Sequence, residues 1–152
     1  MPLADVHATM IHERVALARA ARNPYVIARV ASGWAVLADH QFLRGYCLLL
    51  PDPVVAHLTD LDSDARAAYL LDMARIGDAL HAVTDTSRVN YEILGNLVPA
   101  LHAHIIPRYT DEPPERLAGP VWWYPWDTLH SVPFSEEDHG PLRDALAAAL
   151  QA

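Results

Sequence analysis

Apolar and polar positions along the chain change period several times, and each change marks an element. Between residues 62 and 83, Tyr69, Met73, Ile76, Leu80 and Val83 recur at steps of four and three, which puts them on one stripe of an α-helix. Asp62, Ser63 and Asp64 open that stretch, where side-chain acceptors cap free N–H groups and acids suit the positive end of the dipole. Three short apolar runs precede it: residues 25–31 (YVIARVA), 34–39 (WAVLAD) and 46–50 (YCLLL). Ser32-Gly33 is a turn signal between the first two, and Gly45 and Pro51 bound the third, so the three predict an antiparallel meander. Residues 88–94 (RVNYEIL) and 101–107 (LHAHIIP) predict a fourth and a fifth strand, with Gly95-Asn96 as the turn between them. The expected fold is α+β, a sheet of about five antiparallel strands with the 62–83 helix packed on it.

The two ends add helices. Residues 3–20 predict a helix whose larger apolar residues are Val6, Met10, Val15 and Leu17, stopped by Asn23-Pro24. His7 and His12 are expected at its solvated surface. Residues 110–114 (TDEPP) predict a loop, and Ser135-Glu136-Glu137 opens a final helix running to about Leu150. Between them, residues 119–126 (GPVWWYPW) hold three of the four tryptophans. This segment reads as an ordered cap, and two roles remain open: a wall of a binding site, or plain packing of the tail. Neither a repeat nor a linker interrupts residues 1–152, so a single domain is expected, with an N-terminal helix over 1–22 and a tail over 112–152.

Composition narrows the function classes. The chain has 152 residues, 52% hydrophobic and 20% charged, which suits a globular domain. A formal net charge of −8 argues against binding long nucleic acid, which needs a basic footprint, but leaves room for a single nucleotide held by a few local donors. The lone cysteine, Cys47, forms no internal disulfide and is expected to be a small buried side chain. No apolar run reaches the ~18 residues of a membrane span, and residues 1–14 lack the basic-then-apolar order of a signal peptide. A cytoplasmic location is expected, with neither a membrane nor a cofactor as partner.

The chemistry concentrates in residues 90–109, NYEILGNLVPALHAHIIPRY. His102 and His104 alternate with Leu101, Ala103 and Ile105, so a strand would show both imidazoles on one face and the apolar residues on the other. Imidazole serves as base, nucleophile or metal ligand near neutral pH. A half-buried strand that happens to carry two histidines fits the same six residues. There is no Gly-rich phosphate loop and no dinucleotide fingerprint.

The run from Asn96 to Tyr109 resembles the signature of the histidine triad (HIT) superfamily of nucleotide hydrolases and transferases: three histidines alternating with apolar residues, often continuing into Pro-Arg. Aligned on Pro107-Arg108, His102 matches the middle histidine and His104 the third, while Ala100 stands in place of the first. The resemblance extends over about residues 30–111. It implies that His102 is the nucleophile, with its other ring nitrogen held by a backbone carbonyl, and that His104 contacts the phosphate side. It implies that Asn90, twelve residues before His102, donates near the leaving group, and that Asp39 accepts from the ribose hydroxyls. Asn96 is equally readable as a turn residue, Asp39 as a structural strand-end acid, and Arg108 as either a phosphate partner or a surface ion pair. Relatives also commonly carry a basic residue and a histidine where this chain reads Pro51-Asp52-Pro53-Val54; His57 follows shortly after.

Three functions follow. The first is a HIT-type hydrolase or nucleotidyltransferase, cleaving a nucleoside phosphoanhydride or phosphoramidate through a nucleotidyl-histidine. The second is a nucleotide-binding protein of the same fold with little turnover, because Ala100 replaces an imidazole. The third is a metal-binding or scaffold protein using His102 and His104, disfavoured because zinc usually takes four ligands. The resemblance also implies a homodimer. Restoring the imidazole by Ala100→His is expected to raise activity or leave it unchanged.

Overall fold

The structure, a computed structural model, describes residues 8–152. Its first helix, α1 (Met10–Arg19), is shorter than the 3–20 stretch expected; residues 3–7, with Val6 and His7, lie outside the described residues. Thr9 starts the helix. Its hydroxyl accepts from the Ile11 N–H, and His12 Nδ1 accepts in return from the Thr9 N–H at 3.1 Å. His12 is therefore a cap residue rather than a free surface side chain. The buried stripe is Ile11, Val15 and Ala18, while Met10, expected to be part of it, is 45% exposed.

Five strands follow: β1 (Val26–Val30), β2 (Gly33–Leu37), β3 (Cys47–Pro51), β4 (Arg88–Glu92) and β5 (Ala103–Arg108). They form one sheet in the order β1-β2-β3-β5-β4, every neighbouring pair antiparallel. The first three are the expected meander. Gly33 belongs to β2 rather than to the turn, and a Cβ there would lie 1.9 Å from the Leu50 carbonyl oxygen, so the β2–β3 approach requires glycine.

One face of the sheet carries the main core. Helix α2 (Ser63–Val83), capped by Asp62, and the last helix α5 (Glu136–Gln151), capped by Ser135, both pack there. Leu37, Leu49, Ala103 and Ile105 from the strands meet Tyr69, Ile76 and Leu80 from α2 and Leu142 and Leu146 from α5. Each large aliphatic side chain buried this way contributes roughly 1.5–3 kcal/mol. Tyr69 keeps its hydroxyl satisfied by donating to the Leu49 carbonyl at 2.8 Å. No described helix is long and apolar enough to cross a membrane.

The opposite face is covered only at its ends. At one end α1 lays Ile11 and Val15 on Val36, Leu50 and Ala100. At the other, the segment after β5, with short helices α3 (Pro114–Leu117) and α4 (Trp126–Leu129), lays Val121 and Tyr124 on Leu43 and Ile106. Arg108, 2% exposed, fastens that segment. Its guanidinium donates to Glu112 at 3.0 Å, to Asn90 Oδ1 at 3.0 Å, and to the carbonyls of Gly119 at 2.6 Å and Arg116 at 2.9 Å. Burial raises the Glu112 pKa, but bonds from Arg108, the Tyr109 N–H and the Tyr124 hydroxyl outweigh it and hold the carboxyl below its ordinary value.

Candidate active site

Between these two covers the sheet is open, and His102 and His104 stand there. His102 lies just before β5, yet the strand alternation reaches it: Leu101, Ala103 and Ile105 all join the core on the other face. The two imidazole rings are 5.0 Å apart between centroids. His102 Nδ1 lies 2.7 Å from the Ala100 carbonyl oxygen. A carbonyl only accepts, so Nδ1 carries a hydrogen, and in the neutral ring Nε2 holds the lone pair.

His104 sits in a closer setting. Leu48 pairs with it from β3 and Glu92 from β4. Its Nδ1 is 2.7 Å from the Tyr46 hydroxyl, and Trp122 stands edge-on with centroids 5.5 Å apart. Burial, reinforced by the neighbouring His102, lowers the His104 pKa to about 4. Burial, with Glu92 adding to it, pushes the Tyr46 hydroxyl well above its ordinary value. Glu92 in turn accepts from the Trp122 indole N–H at 2.5 Å.

The cleft over these rings encloses about 450 Å³. Met10, Ile11 and Arg14 of α1 form one wall, Asp39 and His40 follow β2, and Gly95, Asn96 and Leu97 form the rim before β5. Trp122, Trp126, Leu129 and His130 close the far side. Arg14 holds both Asp39 carboxylate oxygens. The Trp126 and His130 rings lie 4.0 Å apart, and His130 meets His40 at 4.5 Å. The tryptophan segment is thus split: Trp122 and Trp126 line the cleft, whereas Trp123 packs on Gly119, where a Cβ would lie 2.2 Å from its ring.

Of the residues singled out from the sequence, the fold brings together His102, His104, Asp39 and Asn96. It does not bring Asn90 or Arg108 to the cleft. Asn90 pairs with Ile106, two rungs along from the Glu92–His104 pair, and its amide oxygen is bonded to Arg108. Arg108 is neither a free phosphate donor nor a surface ion pair, because its donors are taken by Glu112, Asn90 and two carbonyls in the interior. His57 is exposed at a short helical turn and is not among the residues lining the cleft. Ala100 is fully buried, its methyl in the α1 cluster.

Sequence reasoning missed Arg14, His40, Tyr46, Glu92 and His130. Tyr46 and Glu92 had a signal in the strand period: Tyr46 is two residues before Leu48, and Glu92 is two after Asn90, so strand pairing alone would align them with the histidine face. Arg14 and His130 had none, since they arrive from elements distant in the chain. Among the described residues, no group of three or more His, Cys, Asp or Glu side chains is placed to hold a metal ion.

A family profile described as HIT domain matches residues 26–111. The chain belongs to the HIT domain family. A histidine triad protein from Marinobacter aquaeolei superposes with a TM-score of 0.72 at 23% identity, over 94% of this chain and 96% of that one. One from Bradyrhizobium japonicum gives 0.68 at 25% identity over 82% and 89%, and a zinc-bound histidine triad family protein from Mycobacterium smegmatis gives 0.63 at 20% over 93% and 97%. No curated protein matches the chain. The HIT domain span contains both histidines, Asp39 and Asn96, but α1 and the Trp122–His130 wall lie outside it.

Proposed function

We propose that this HIT protein is a nucleotide hydrolase that cleaves a nucleoside phosphoanhydride or phosphoramidate through a nucleotidyl intermediate on His102. The observation that carries this reading is the Ala100 carbonyl bound to His102 Nδ1, which leaves Nε2 as a lone-pair donor in a cleft. Because the anchor is backbone, replacing the first histidine by alanine leaves it in place.

Attack of Nε2 on the α-phosphorus forms a P–N bond as the bond to the leaving group breaks, and solvent protonates the departing atom. The ring keeps its Nδ1 hydrogen and becomes cationic, and the Ala100 carbonyl stabilises that charge. Water then attacks phosphorus, the P–N bond breaks, the nucleoside monophosphate leaves, and the proton from water goes to solvent. Asp39 is the ribose acceptor in this reading, Asn96 a donor at the rim, and Trp122 and Trp126 supply aromatic wall for the substrate.

A second reading, a nucleotide-binding protein with weak turnover, is favoured by Ala100, since one imidazole fewer surrounds the phosphate. Incubation with a panel of dinucleoside polyphosphates and nucleoside phosphoramidates separates the two. Release of nucleoside monophosphate supports hydrolysis; saturable binding without release supports the second reading; neither binding nor release overturns both. We also propose a homodimer, with exposed Leu70 and Leu71 on α2 as apolar surface available for pairing. Sedimentation at 16.8 kDa at micromolar concentration would count against it.

A further inference from the structure

We infer that Tyr46 is a positioning residue: its hydroxyl donates to His104 Nδ1 and fixes His104 as the Nε2–H tautomer, opposite to that of His102. The inference rests on the proposed function only for its consequence in catalysis; the tautomer itself follows from the local bonding.

The Tyr46 oxygen and His104 Nδ1 are 2.7 Å apart, so one of them donates. Counting protons decides which. The Tyr46 hydroxyl has no second hydrogen-bond partner among the described residues. If it accepted from an Nδ1–H, its own proton would be left without an acceptor in a largely buried site, a cost on the order of 1–3 kcal/mol. If it donates, both groups are satisfied, and the remaining His104 proton sits on Nε2. The ionisation state agrees. Burial keeps the phenol protonated and so able to donate, and keeps the imidazole neutral, so that one ring nitrogen is able to accept. The Glu92 carboxylate, which faces His104 from β4, is engaged by the Trp122 indole. The sheet sets the reach: Leu48 pairs with His104, and Tyr46 stands two residues earlier on the same face of the chain entering β3.

Two adjacent imidazoles then show opposite chemistry. His102, tied to a carbonyl, shows a lone pair. His104, tied to a hydroxyl, shows an N–H. A phosphoryl group between them meets a nucleophile from one ring and a hydrogen-bond donor from the other. The donor role requires no cationic histidine.

Two-bond proton–nitrogen correlation spectra of protein labelled with nitrogen-15 histidine test this directly. His102 should show the Nδ1–H pattern and His104 the Nε2–H pattern in the wild-type protein near pH 7. Tyr46→Phe should leave the His102 pattern unchanged and convert His104 to an average of both tautomers. An Nδ1–H pattern for wild-type His104 overturns the inference without any variant, and so does a Tyr46→Phe spectrum identical to wild type. If the protein hydrolyses nucleotides, Tyr46→Phe should lower kcat about tenfold with KM unchanged; an unchanged kcat counts against the positioning role. The expected spectra from a protein that hydrolyses none of the panel leave the tautomer assignment standing and sink the proposed function instead.

Discussion

His102 Nδ1 donates to the carbonyl oxygen of Ala100, two residues earlier in the chain, at 2.7 Å. Ala100 thus orients the His102 ring through its backbone. If His102 is the nucleophile, His102→Ala should reduce kcat by at least about a thousandfold while nucleotide affinity changes little, because a nucleophile acts mainly in the transition state. Steady-state kinetics and calorimetric titration of the two proteins measure both quantities. Wild-type turnover by the variant would remove His102 from the mechanism. A phosphoramidate on His102, trapped by an acid-free quench and seen by mass spectrometry, would support it.

The depressed pKa of His104 has a consequence for stability. Its folded value is about 4 against 6.5 for the free side chain, so the unfolded chain binds the extra proton between those values. The contribution is fully present above about pH 6.5 and is lost as pH falls toward about 4, on the order of 3 kcal/mol in all. Urea unfolding at pH 7 and pH 4.5 should show a steeper loss for the wild type than for His104→Asn, which has no titrating group there. Equal losses would mean that His104 is not held neutral by the fold.

Arg108 is expected to act on stability rather than on substrate. Arg108→Met removes one member of a buried ion pair and leaves Glu112 without its main partner, which should cost about 3–5 kcal/mol. Activity per folded molecule should stay within a few-fold of wild type, since the side chain lies outside the cleft. Chemical denaturation combined with active-site titration separates the two effects. A wild-type melting curve with lost activity would return Arg108 to the site.

The burial of Ala100 changes what Ala100→His should do. The position is fully buried against Ile11, Val15, Val36 and Leu50, so an added imidazole overfills an apolar cluster and brings a polar ring into it. A loss of roughly 1–3 kcal/mol is expected, with no gain in activity. A variant as stable as wild type and more active would show that the cluster can open toward the cleft.

Trp122 and Trp126 line the cleft, while Trp34 bonds Asp52 elsewhere. Nucleotide binding should therefore change tryptophan emission, and Trp122→Phe with Trp126→Phe together should remove most of the change. Fluorescence that ignores saturating nucleotide would exclude both rings from the substrate's surroundings.

Periodicity in the sequence determined the five strands, the 62–83 helix with its Asp62 cap, and the sharing of one face by His102 and His104. These are local properties: the strand period of two and the helix period of 3.6 act on neighbours along the chain. Element ends were less legible because caps decide them, as Thr9 does for α1. Only the tertiary structure decided which polar residues meet the histidines. Asn90 and Arg108 lie near them in sequence and on the same side of the sheet, yet the buried Arg108 guanidinium gains more from four acceptors around it than from an open cleft, and it holds Asn90 with it. Arg14 and His130 reach the site because α1 and the segment after β5 must cover apolar strand surface at the two ends of one face. The cleft is what those two covers leave uncovered, and no pattern of apolar spacing along the chain encodes where two distant segments stop.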